Sequence, residues 1–175
     1  MKRFIIITLL MLLLLALAVF LMPAAEGQAK EVPVDFEQSI KSMIQEHKIM
    51  TRRLIAYMEH QRDEINLLAE VIYHENWHTD KEHLAAYYTG AVVMNRVNSS
   101  AWPDTVKDVL YQKGQYSTTK LFYTKEIPQE CYDMARDIYK NGTPDVPANV
   151  IFQSMQKGLG RGHWKVINGE YFAYG

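Results

Sequence analysis

Between positions 36 and 98 the apolar residues recur every three or four positions, and towards the C-terminus they alternate. Before either pattern comes an unbroken apolar run, Phe4 to Met22, behind Lys2 and Arg3. From Phe36 to about Arg62 the stripe Ile40, Met43, Ile44, Leu54, Met58 predicts a helix, with Gln45, Glu46, Lys48, Arg52 and Arg53 on its other faces. Nothing in that stripe suggests chemistry. It suits a helix packed on the rest of the chain or on a copy of itself.

The stretch 67–98 reads as two helices and a break. Leu68, Val71 and Ile72 bury one side of the first, which should end around Asn76 and hold Glu75 at its end. A glutamate there is disfavoured by the helix dipole, so its presence asks for another reason. Thr79-Asp80-Lys81-Glu82 fits a capping box and predicts a helix start near Thr79 or Asp80. Leu84, Ala85, Tyr88, Ala91, Val92 and Asn95 then continue at helical spacing to about Val97.

Further on, Pro103-Asp104-Thr105 opens a short helix with Val106, Val109 and Leu110 inward, and Lys113-Gly114 marks a turn. Gln115-Tyr116-Ser117-Thr118 reads as extended. Pro128 starts a helix with Tyr132, Ala135, Ile138 and Tyr139 on its apolar side, stopped by Asn141-Gly142. Val150 to Gln153 is a strand. Gly158 to Gly162 is a flexible loop without the spacing of a phosphate cradle. Lys165 to Ile167, Asn168-Gly169 and Glu170 to Tyr174 form a β-hairpin. Helices first and a small antiparallel sheet late make the fold class α+β.

Composition narrows the functions. A formal net charge of -1 gives no electrostatic case for nucleic acid. The single cysteine, Cys131, rules out an internal disulfide and a multi-cysteine zinc site, and its helical setting predicts a buried structural thiol. The basic start and apolar run are an export signal. Small residues Gly27 and Ala29 would suit cleavage just before Lys30, or residues 4–22 stay as a membrane anchor. Both outcomes place the remainder outside the cytoplasm, secreted or held at the outer face of the membrane. The expected organisation is 1–29 signal or anchor, 30–64 linker and amphipathic helix, 65–175 catalytic domain.

His74-Glu75-Asn76-Trp77-His78 matches HExxH, in which two histidines one turn apart bind zinc and the glutamate is the base. A zinc-dependent amidase or peptidase using His74 and His78 is therefore one reading. The expected helix break before His78 and the lack of a clear third ligand count against it.

Several segments together resemble the cell-wall hydrolases of the spore-cortex-lytic (SleB-like) family. They are Leu68 to Glu75, Gly90 to Ser99 with its Asn95-Arg96-Val97, Trp102 to Val106, Val109 to Tyr111, Gly114-Gln115-Tyr116-Ser117, Asn149 to Gln153 and Ile167 to Tyr174. Two positions depart from the family pattern. Asn76 to Thr79 replace the small residues, Gly and second Glu that usually follow the catalytic glutamate, while Glu82 matches a later acidic position. Glu170 stands where the family often has His.

The resemblance implies a lysozyme- or lytic-transglycosylase-like helical domain acting on peptidoglycan glycan strands. It implies cleavage between N-acetylmuramic acid and N-acetylglucosamine, with Glu75 as the one catalytic carboxyl and no cofactor or metal. A hydrolytic muramidase is the close variant. Gln115 is expected to bond an N-acetyl group or Glu75, and Tyr73 and Tyr116 to stack on sugar or pack in the core. Glu82, Asn95 and Gln153 complete the expected substrate-binding set, Asn95 serving as a contact or a helix cap.

Overall fold

The computed structural model describes residues 34–175, with side chains from residue 37. The apolar run 4–22, the cleavage region before Lys30 and the linker with Pro33 lie outside the described residues. In chain order the elements are α1 (Val34–Asn76), α2 (Leu84–Val97), α3 (Val106–Leu110), a 3-10 helix (Ser117–Leu121), α4 (Gln129–Asn141), β1 (Val150–Ser154), β2 (His163–Ile167) and β3 (Glu170–Tyr174). The stripe that begins at Phe36 and the helix that carries Glu75 are thus one element. Among the described residues no helix is long and apolar enough to cross a membrane.

The chain divides into two compact units, Met1–Lys48 and Ile49–Gly175. In the first, the described residues are helical and almost wholly exposed. Lys41 pairs with Glu37 at 2.6 Å, one helical turn away.

In the second unit, α2 is the shared wall of two cores. Ala86 and Val93 join Leu68, Val71, Ile72, Val109, Ile138 and the buried thiol of Cys131. Burial pushes that thiol up to about 12, as suits a structural cysteine. Ala85, Tyr88 and Val92 join Val150 and Phe172 of the sheet. A helix apolar on nearly every face must be enclosed, and α2 is. Gly90 allows a close approach: a Cβ there would lie 2.7 Å from Ile138 Cδ1 and 3.0 Å from Ile72 Cδ1. Asn95 ties α2 to the sheet, its Nδ2 donating to Pro147 O and Val150 O, both at 3.0 Å.

The expected helix ends hold at Asn76, Val97 and Asn141. The capping box does not. α2 begins at Leu84, and Asp80 caps it from outside, its carboxylate accepting from Leu84 N at 2.8 Å and Ala85 N at 2.9 Å. Thr79 instead donates to Asn76 Oδ1 at 2.8 Å, and Glu82 is exposed. His83 sits at φ 55 with its ring stacked on Trp77, which turns the chain before the first apolar residue the helix can bury. At α3, the buried Glu64 of α1 accepts from Val106 N at 2.6 Å, so a residue from another helix supports the cap that Thr105 supplies locally.

Residues 115–118 are not a strand. Tyr116 is extended, and a 3-10 helix follows from Ser117. Thr118 and Thr119 favour a sheet by side-chain shape, yet both the amide and the hydroxyl of Thr119 bond Tyr116 O and close a local turn. The sheet has order β1-β3-β2, antiparallel throughout. Its hairpin turns on Asn168 at φ 46 and Gly169 at φ 91, the paired positive angles of a type I′ turn.

Candidate active site

A cleft of about 380 Å³ opens between the C-terminal end of α1, the loop before the 3-10 helix, and the sheet. Glu75, Arg96, Gly114, Gln115 and Tyr116 line one part of it, and Phe152, Gln153, Ser154, Met155, Leu159 and Glu170 the rest. A slightly larger hollow of about 410 Å³ lies between α1 and α4, rimmed by Arg62, Arg136 and Lys140. It is lined by no carboxylate, whereas Glu75 and Glu170 line the first.

Glu75 lies in the last turn of α1, half-buried, and its Oε1 accepts a short hydrogen bond from Thr118 Oγ1. The next residue locks the helix end: buried Asn76 donates through Nδ2 to Thr89 Oγ1 at 2.8 Å. The carboxyl is therefore held from both sides, by a pinned backbone and by the hydroxyl of Thr118. Its second oxygen is left to the cleft.

Arg96 is 3% exposed, and its guanidinium makes two hydrogen bonds. Nε donates to Ile151 O at 2.7 Å, and Nη1 donates to Gln115 Oε1 at 3.1 Å. Its carbon lies 4.3 Å from the Trp102 ring centre and 5.4 Å from that of Tyr116. Since Gln115 Oε1 is occupied, its amide nitrogen is the group free to donate to a substrate. Burial lowers Arg96 from its ordinary value, opposed by Tyr116.

Tyr116 is buried, and no described residue bonds its hydroxyl. Burial chiefly pushes this phenol up to about 12, offset in part by Arg96 and helped by Glu75 and Glu170. Gln153 Oε1 is likewise buried without a donor. Glu170 is 6% exposed at the first position of β3. Burial, then the neighbouring Glu75, raises its carboxyl above the usual range.

The cleft thus gathers Glu75, Gln115, Tyr116 and Gln153 from the expected set, and leaves three others elsewhere. Glu82 is exposed on the turn before α2, and Asn95 is spent on the sheet. Tyr73 lies edge-on to both His74 and His78, with Lys125 Nζ 4.6 Å from its ring centre. The HExxH geometry is not formed. α1 ends at Asn76, so His78 is exposed beyond the helix. His74 turns inward, its Nε2 3.3 Å from the buried Glu70, one turn back on the same helix. Among the described residues no three His, Cys, Asp or Glu side chains are grouped to hold a metal ion.

Sequence reasoning assigned no role to Arg96, Thr118 or Glu170. Arg96 stood in plain view within Asn95-Arg96-Val97. For Glu170 the signal was period-two alternation, which puts it on the face of β3 that carries Phe172. Thr118 carried no such signal, being part of a segment read as extended.

Two carboxyls, two side-chain amides and an aromatic wall in an open cleft suit a polar ligand. A family model described as Cell Wall Hydrolase matches residues 81–166. That stretch belongs to the cell-wall hydrolases of the spore-cortex-lytic, SleB-like type, and the protein is a peptidoglycan-degrading enzyme. The match contains Arg96, Gln115, Tyr116 and Gln153, and Glu75 and Glu170 stand on either side of it. No curated protein and no solved structure matches the chain.

Proposed function

We propose that the enzyme is a lytic transglycosylase that cuts the bond between N-acetylmuramic acid and N-acetylglucosamine, with Glu75 as acid and then base. The observation that carries this is the placement of Glu75: rigid at a helix end, clasped by Thr118, and open to the cleft. Glu75 gives its proton to the bridging oxygen as the bond from C1 to that oxygen breaks. The resulting carboxylate removes the proton of the sugar's own C6 hydroxyl as O6 closes on C1. The product is a 1,6-anhydro end, and Glu75 regains its proton for the next cycle. Gln115 donates to the glycan from the amide that Arg96 orients. Residues 65–175 serve as the catalytic domain. Residues 1–29 export the chain, which then works outside the cytoplasm, either released or held at the membrane by residues 4–22.

Hydrolysis is the second reading, with water in place of O6. A second carboxyl in the same cleft, Glu170, is the observation on its side, since hydrolytic glycosidases commonly use two. Digestion of purified peptidoglycan by the protein, followed by product masses, tests both. The transglycosylase yields ends lighter by one water than the hydrolase does. Glu75→Gln should cut the rate by about 100-fold or more. Undiminished activity in that variant would rule Glu75 out.

A further inference from the structure

The sheet side of the cleft carries two polar groups, on largely buried residues, that the one-carboxyl mechanism does not use. Gln153 Oε1 is an acceptor with no donor. Glu170 is nine-tenths buried as a residue with its carboxyl reaching the cleft, and no described side chain bonds or ion-pairs with it. The cation of the cleft, Arg96, is committed to Ile151 O and Gln115. A carboxylate largely screened from water, beside a second carboxylate and without a cation, is costly, so the neutral acid is the form this site favours. Its raised value, caused by burial and by Glu75, agrees. A neutral carboxylic acid is a hydrogen-bond donor.

The two groups share one face. Gln153 pairs with Phe172 across β1 and β3, so their side chains point the same way. Glu170 is two residues from Phe172 on β3 and so points that way too. Diagonal neighbours of this kind have backbones about 7–8 Å apart, which leaves room for one small group between their side-chain tips. The group must offer an acceptor to Glu170 and a donor to Gln153. A secondary amide offers both.

We propose that Glu170 and Gln153 form an acetamido-recognition site, Glu170 donating to the carbonyl oxygen and Gln153 Oε1 accepting from the N–H of an N-acetyl sugar in the cleft. This rests on the glycan-cleaving reading and adds to it a specificity element from the sheet. It gives Glu170 a hydrogen-bonding role and no part in moving protons, so the amide Glu170→Gln should replace it.

The test compares Glu170→Gln, Glu170→Leu and Gln153→Leu on purified peptidoglycan and on the same material N-deacetylated, with thermal melts of each protein. Glu170→Gln should keep kcat/KM within about threefold of wild type, since its amide still donates. Each leucine variant should lose about tenfold on acetylated wall, through KM, and lose preference for it over the deacetylated form. Combining both leucines should cost little more than one, because both sites recognise one group. An inactive but folded Glu170→Gln overturns the proposal, and would mark Glu170 as the base of a hydrolase. Folded leucine variants that retain the acetyl preference also overturn it. If Glu170→Leu does not fold, Glu170→Met takes its place on the same criteria. Glu75→Gln is run alongside: activity surviving there sinks the Glu75 assignment and leaves the acetyl preference to be read independently.

Discussion

The guanidinium of Arg96 holds the amide of Gln115, Nη1 donating to Oε1 at 3.1 Å. Gln115 is itself exposed on a loop, where a free side chain would sample many rotamers. Arg96 removes that freedom and fixes which end of the amide faces the cleft. Because the same guanidinium also bonds Ile151 O on β1, one side chain sets the loop against the sheet.

That double role makes Arg96 irreplaceable by lysine, which keeps the charge but lacks the planar fork. Arg96→Lys leaves at least one part-buried acceptor without its donor and should cost about 1 kcal/mol or more of stability. Activity on peptidoglycan should fall about tenfold beyond what unfolding explains, because Gln115 is no longer oriented. Thermal melts and dye-release assays below the melting range check both. Wild-type turnover in a folded Arg96→Lys would show that Gln115 needs no anchor.

Thr118 offers a cleaner probe of Glu75. Its hydroxyl bonds Oε1, while its methyl is shaped like that of valine. Thr118→Val should lower kcat by about tenfold with KM and the melting temperature nearly unchanged, since only the aim of the carboxyl is lost. Thr118→Ser, which keeps the hydroxyl, should recover most of the rate. A Thr118→Val enzyme with unaltered kcat would mean Glu75 is held by the helix end alone.

How far the chain is legible depends on whether the deciding interactions are local. The Asn168-Gly169 turn was readable because both positive φ angles are demanded by the turn itself. Gly142, at φ 73, was readable for a like reason, whereas the end of α1 at Asn76 was reached through a capping box that does not form. The segment 115–118 misled because threonines suit a strand, while Thr119 closes a local turn on Tyr116 O and Thr118 gives its hydroxyl to Glu75 on a distant helix. Glu75 entered through the family resemblance and a helix-end position. Glu170 did not, since nothing local links it to Glu75: the fold alone brings the sheet to the helix end.

The same distinction applies to the start of α2, where the local pattern pointed to Thr79 and Glu82 and the structure uses Asp80. Asp80→Ala should cost about 1 kcal/mol, the usual worth of a helix N-cap. Glu82→Ala should change stability by less than about 0.5 kcal/mol, as for an ordinary surface site. Chemical denaturation of the two variants checks this directly. Equal losses from both would restore the capping box.

Glu170 makes stability and function pull apart, and the sign follows from its environment. Its carboxyl is raised in the folded protein by burial and by Glu75, above the ordinary value of 4.5. Below that ordinary value the group is protonated in folded and unfolded chains alike, and it has no effect on the balance. As pH rises past it, the unfolded chain releases the proton while the folded one retains it, so the unfolded state gains. Glu170 therefore weakens the fold progressively from about pH 4 towards neutrality. Glu170→Gln removes the titration and keeps the shape. It should raise the melting temperature at pH 7 by on the order of 2 °C or more, and the gain should vanish near pH 4. Melts of both proteins from pH 4 to 8 give the curve. A gain that is flat with pH would show that Glu170 is as well solvated folded as unfolded, and the case for a neutral acid in the cleft would go with it.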